Sequence, residues 1–155
     1  MKITATRYHD ISCGHRVVGH EGKCQLLHGH NYRVHFTCQA DALDPIGRVM
    51  DFGVIKARLC GWLETVWDHR FLAWQQDHIM HSIEKQIFPH ESEANEVNLM
   101  LQNSIVWVPF NPTAENMADY LLNVIGPKRL DGTGVTLIRV TIDETRKCSA
   151  TAERS

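Results

Sequence analysis

Between Gly22 and Phe36 the chain reads GKCQLLHGHNYRVHF, which places a cysteine four residues ahead of a His-Gly-His. From Tyr32 onward apolar and polar residues alternate, the signature of a half-buried β-strand whose successive side chains leave on opposite faces. Counting back in twos from Cys38 through Phe36, Val34 and Tyr32 reaches His30 and then His28. Both imidazoles therefore lean to the apolar face at the strand's entrance, and Gly29 leaves the opposite face bare. Neutral imidazole is the commonest nitrogen donor to zinc, which takes three or four ligands in a tetrahedral arrangement. Two adjacent histidines supply half of such a shell, and His15, on a first strand of matching parity, has the right placement for a third. Three histidines with one open position is the arrangement of catalytic zinc sites. The competing reading is a pair of hydrogen-bonded core histidines.

Other residues could serve the same centre. Cys24 is a fourth ligand, a nucleophile or base, or an inert buried thiol; a thiol beside a dication and imidazoles becomes a usable base near neutrality. Asp68-His69 is either a solvated helix end or a carboxylate fixing an imidazole tautomer for proton transfer. Glu144 continues the apolar face of Ile138, Val140 and Ile142, where a carboxylate is costly unless something pairs with it; fraying of the strand end into solvent is the alternative. Glu115 begins a helix, where it favours the dipole or contacts substrate. Cys13, two residues from His15, could compete for metal or for oxidation. A Cys/His zinc finger is excluded, because the cysteines lack paired spacing.

The elements that must position these residues are set by pattern. Residues 1–13 alternate, with Met1, Ile3, Ala5, Ile11 and Cys13 sharing a parity, and predict a first strand. A loop leads to the strand from His28 to about Gln39. An amphipathic helix is predicted from Phe52 to Trp67, capped by Asp51, with Ile55, Leu59, Trp62 and Val66 on one stripe. Residues 75–103 read as helical in pieces, and IVWV (105–108) as a short apolar run. Thr113 caps a second helix that ends at Gly126-Pro127, with Met117, Leu121 and Val124 in the core. A strong strand, GVTLIRVTIDE, and a partner, KCSATAE, finish the chain. The expected fold is α+β, an antiparallel sheet with two main helices on one face. Such a sheet leaves a face open for association with other copies.

At 155 residues, 43% hydrophobic and 22% charged, the chain reads as one domain spanning 1–155. A formal net charge of −2 gives no electrostatic footprint for nucleic acid or an anionic membrane. No apolar run reaches the length of a membrane span or a signal peptide core. The five cysteines are odd in number and contain no C-x-x-C, which points to reduced thiols in a cytoplasmic protein.

Taken in order, HR…KCQLLHGHNY…MDFGVIK…WDHRFL…PTAENMADYLL…IDETRKCSA resembles the 6-pyruvoyl-tetrahydropterin synthase family over nearly the whole chain. Three residues separate Cys24 from His28, as in the family's bacterial 6-carboxytetrahydropterin branch, which serves 7-deazaguanine (queuosine) biosynthesis; the animal pyruvoyl enzymes have a longer gap. The resemblance implies that His15, His28 and His30 bind Zn2+. It casts Cys24 as the proton-abstracting thiol, Asp68-His69 as its partner pair and Glu144 as the pterin anchor. The implied reaction is lyase cleavage of 7,8-dihydroneopterin triphosphate to 6-carboxy-5,6,7,8-tetrahydropterin, acetaldehyde and triphosphate. The implied assembly is a barrel-like homohexamer of the tunnelling fold, a dimer of trimers with sites between subunits. The alternatives are 6-pyruvoyltetrahydropterin synthesis and a catalytically silent pterin- or purine-binding module. The chain departs from the family at Cys13 and in a segment, 74–104, longer than in the shortest relatives.

Overall fold

In the computed structural model, residues 2–87 and 96–155 are described. Strand β1 (Thr4–His15) pairs antiparallel with β2 (His28–Ala40) along its whole length, so that Ile11 faces Tyr32, Cys13 faces His30 and His15 faces His28. The alternation in both sequences sets this register: one face carries Ile11, Tyr32, Val34 and Phe36, all buried, and a slip by one residue would turn them to solvent. Strand β5 (Val135–Asp143) pairs antiparallel with the far side of β2, and β6 (Ser149–Glu153) with β5. Ile3 stands 42% exposed just before β1 begins.

The sheet is not wholly antiparallel. Strands β3 (Arg70–Trp74) and β4 (Ile105–Val108) add to the other side of β1, each in parallel pairing, and the order is β4-β3-β1-β2-β5-β6. Helices α2 (His78–Ile87) and α3 (Glu96–Ser104) lie between β3 and β4 in the chain. These two helices thus form part of a crossover, which parallel strands require. Phe71, Leu72 and Ala73 are a continuous apolar run, the pattern of a strand covered on both faces.

Two long helices cover the core face. Helix α1 runs over 52–66, capped by the Asp51 carboxylate on the Gly53 amide, and passes through a π-helical stretch at Lys56–Cys60. Helix α4 runs over 114–129, capped by Thr113 on the Asn116 amide, with a second π stretch at Leu121–Ile125. Each π turn inserts one extra residue and rotates the rest of its helix. The buried positions beyond it therefore fall one residue later than a regular helical count gives. Leu63 and Trp67 are buried where the count expects Trp62 and Val66, and Ile125 where it expects Val124; the three expected residues are only half-buried at the rim.

Helix α4 also continues one turn past Gly126-Pro127 to Arg129. In π register the missing Pro127 amide would have met the Leu122 carbonyl, and Arg154 donates to that carbonyl instead, at 3.2 Å. Glycine is needed at Gly126 because a Cβ there would lie 2.5 Å from Leu137 of β5. Among the described residues no helix is long and apolar enough to cross a membrane.

Candidate metal centre and active site

His15, His28 and His30 meet at the entrance of the β1–β2 ladder, with one ligand atom from each within 4.8 Å of the others. Gly29 makes this turn of strand possible: a Cβ there would approach the Cys13 carbonyl to 2.7 Å. The outer nitrogens are already committed. His15 Nδ1 donates to the Pro112 carbonyl at 2.6 Å, and His28 Nδ1 to the Leu26 carbonyl at 2.7 Å. These bonds fix both tautomers and leave each Nε2 as an acceptor, the way protein groups orient metal-binding imidazoles. Nε2 of His28 and of His30 are buried with no hydrogen-bond partner. Buried polar nitrogens are rarely left unsatisfied, and a cation at their common focus would satisfy them.

Electrostatics favour the ligand form. Burial lowers the His15 pKa to about 4, against the opposing pull of the Pro112 carbonyl, and the charges of His28 and His30 add to the depression. Burial also lowers His30, although the Glu144 charge pushes the other way. Neutral imidazole is the form that binds metal.

Glu144 stands beside the centre, its Oε1 3.6 Å from His30 Nε2, because β5 delivers it to the face it shares with Val140 and Ile142. The Tyr32 hydroxyl lies 3.3 Å from His15 Nδ1 and 3.2 Å from Nε2. Burial raises the Tyr32 pKa, and negative charges on Glu144, Cys13 and Cys24 raise it further. Strand parity puts Tyr32 on the histidine face without assigning it a role; its polar tip on an apolar face was the available signal. Glu144 and Tyr32 border a cleft of about 1000 Å³ whose rim includes Asn31, Asp68, His69 and Arg146.

Cys24 sits in a short 3-10 turn, Lys23–Gln25, and is half-buried. It lies outside the three-histidine cluster. Its loop is held to the end of β1 by the Val17 amide, which donates to the Cys24 carbonyl at 2.8 Å. Asn111 grips Val18 from the other side, accepting from its amide at 3.0 Å and donating to its carbonyl at 2.9 Å.

Asp68 and His69 do form a pair, with Asp68 Oδ2 2.9 Å from His69 Nδ1. Burial raises the Asp68 pKa, but the Ser12 amide at 2.9 Å and His69 outweigh it and leave the carboxyl below its ordinary value. His69 adopts a left-handed backbone (φ 60) and its amide donates to the Ser12 carbonyl at 2.7 Å. Its side chain is 82% exposed. By strand parity it aligns with Ser12, whose side chain leaves the face opposite the three imidazoles, and the clefts it borders include His28, His30 and Glu144 but not Cys24. Glu115 is exposed in the first turn of α4, with no hydrogen bond or ion pair among the described residues. Cys13 is a core thiol rather than a rival ligand. It donates to the Trp67 carbonyl at 3.1 Å, and burial, aided by the Asp68 charge, pushes its pKa up to about 12.

The sequence profile of the 6-pyruvoyl tetrahydropterin synthase family matches residues 4–155. A curated relative from Rickettsia typhi, named 6-carboxy-5,6,7,8-tetrahydropterin synthase, is 36% identical over 146 residues, covering 94% of this chain and 96% of the relative. One of the same name from Haemophilus influenzae is 29% identical over 112 residues, covering 70% and 72%. Among solved structures, an uncharacterized protein from Wolinella succinogenes superposes with a TM-score of 0.84 at 24% identity, covering 100% of this chain and 99% of that one. The 6-pyruvoyl tetrahydropterin synthase of Caenorhabditis elegans gives 0.64 at 22%, covering 100% and 97%. The chain belongs to the 6-pyruvoyl tetrahydropterin synthase family and is an enzyme of the pterin-lyase type.

Proposed function

We propose that the protein is a zinc enzyme that converts 7,8-dihydroneopterin triphosphate and water to 6-carboxy-5,6,7,8-tetrahydropterin, acetaldehyde and triphosphate, in the cytoplasm and for 7-deazaguanine synthesis. The observation that carries the reading is the pair of buried, unpartnered Nε2 atoms of His28 and His30 beside Glu144. It occurs in a chain 36% identical to a relative named for this reaction.

His15, His28 and His30 would hold the ion, which when bound supplies Lewis acidity toward the substrate's side-chain hydroxyls. Glu144 presents two acceptor oxygens to the pterin's amino group and adjacent ring N–H, a two-pronged match of the kind carboxylates make with guanidinium. Cys24, on its turn next to this pocket, takes a proton from the substrate's side chain. His69, its tautomer fixed by Asp68, carries protons during the internal redox tautomerisation, triphosphate elimination and carbon–carbon cleavage. Glu115 is the second substrate contact in this scheme. Because Cys24 and His69 belong to opposite faces of the sheet, the reading includes a homohexamer in which a second copy supplies the pair.

Incubating the purified protein with 7,8-dihydroneopterin triphosphate and weighing the products by mass spectrometry tests the proposal. Acetaldehyde with 6-carboxytetrahydropterin is the expected result. A pyruvoyl product, or unchanged substrate in metal-loaded protein, would overturn it.

A further inference from the structure

Among the described residues, four polar or charged side chains are buried: His15, Arg16, Thr37 and Asp77. Arg16 follows the candidate metal ligand His15 directly, and its Nη1 meets Asp77 Oδ2 at 2.6 Å. A buried ion pair is weak support for stability, since apolar residues of similar volume often do as well. Its use must lie in what the fixed guanidinium reaches. The same fork donates through Nε to the Gln25 carbonyl at 2.8 Å.

Gln25 is the last residue of the turn that carries Cys24. Three successive carbonyls of that loop are each held by residues at, or just past, the ends of the strands that carry the histidines. The Cys24 carbonyl accepts from the Val17 amide, the Gln25 carbonyl from Arg16, and the Leu26 carbonyl from His28 Nδ1. Arg16 is the member of this set that extends the attachment outward. Asp77 Oδ1 accepts from the amides of Ile79 at 3.1 Å and Met80 at 3.3 Å, and so caps the first turn of α2. One carboxylate thus holds the start of the crossover segment and the guanidinium at once.

We infer that Arg16, held by Asp77, is a positioning residue that fastens the Cys24 turn to the end of β1 and to the start of α2. This rests on the reading of Cys24 as the proton-abstracting group. Arginine suits the task because its planar fork spreads donors toward two separated acceptors in fixed directions, whereas a lysine ammonium presents its donors from one point on a flexible stem. The crossover segment is thereby wired to the site through its first residues.

The test uses full-length protein and the double substitution Arg16→Met with Asp77→Asn, which leaves no lone buried charge and keeps a residue able to cap α2. Metal content should equal wild type, while the amides of Val17 and Leu26 exchange with deuterium faster because the turn opens locally. The kcat should fall roughly 10- to 100-fold, the scale of a small misplacement of a reacting group. KM should stay within about threefold, since pterin binding through Glu144 is untouched. Arg16→Lys should not restore kcat. Unchanged exchange, faster exchange with wild-type kcat, or full rescue by lysine would each overturn the inference. Absence of turnover in the wild-type protein would instead refute the functional reading, and the exchange contrast would then decide the attachment alone.

Discussion

The two faces of the β1–β2 ladder do different work with the same two strands. On the core face, strand parity gathers His15, His28 and His30; the Pro112 and Leu26 carbonyls orient His15 and His28, and burial lowers the pKa of His15 and His30. On the opposite face, His69 is paired with Asp68 but its side chain stands 82% exposed, and its amide is held by the Ser12 carbonyl. The first face gathers, within one chain, three histidines that could hold a metal ion. The second carries a carboxylate–imidazole pair open to solvent. Cys24 belongs spatially with the first face, on a turn rather than a strand.

The sharpest challenge to this contrast is Cys24→Ala. If the histidines alone hold the ion, the variant keeps its metal and loses turnover by about 10²–10⁴, the usual worth of general-base catalysis. Metal loss in the variant would make Cys24 a ligand, and near-wild-type turnover would leave His69 as the sole base.

Mixing tests the division between faces. Cys24→Ala and His69→Ala proteins, each inactive, should recover activity when dissociated and reassembled together. If two copies share each site at random, roughly a quarter of the sites regain both groups. No recovery in verified mixed assemblies would mean that Cys24 and His69 act from one chain.

Smaller effects refine the picture of the core face. Glu144→Gln keeps size but turns a donor toward the pterin's own donors. Pterin affinity should fall by on the order of 10-fold with metal content unchanged, the cost of an unpaired buried polar group. Affinity at the wild-type level would place the pterin elsewhere.

The His15 shift gives the last effect. Its folded pKa of about 4 lies below the ordinary 6.5, so between these values the unfolded chain binds more protons than the folded one. Metal-free protein should therefore lose up to about 3 kcal/mol as pH falls from 6.5 towards 4. Urea unfolding of chelator-treated protein across that range measures it; a flat profile would show that His15 is not buried as described.

Much of this arrangement was legible in the sequence because period-two patterns are strict. Once Phe36 and Val34 face the core, His30 and His28 must do the same, and the caps at Asp51 and Thr113 announce themselves by residue type. The π turns were not legible. Nothing in KARLC or LLNVI marks an inserted residue, so Trp62, Val66 and Val124 were expected where Leu63, Trp67 and Ile125 stand. Nor did five residues of β3 announce parallel pairing, since a strand covered on both faces lacks alternation. Asp68 and His69 therefore looked like the end of a helix rather than the entry to a strand. The Pro112 carbonyl and the Arg16–Asp77 attachment join positions distant in the chain, and no local pattern encodes them.

Metal analysis of the purified wild-type protein beside His28→Ala decides whether the three imidazoles form a metal site. About one zinc per chain is expected in the first, and loss of both zinc and turnover in the second, because a three-histidine site cannot hold its ion with one ligand removed and an open position already present. Full zinc occupancy in His28→Ala would contradict the assignment.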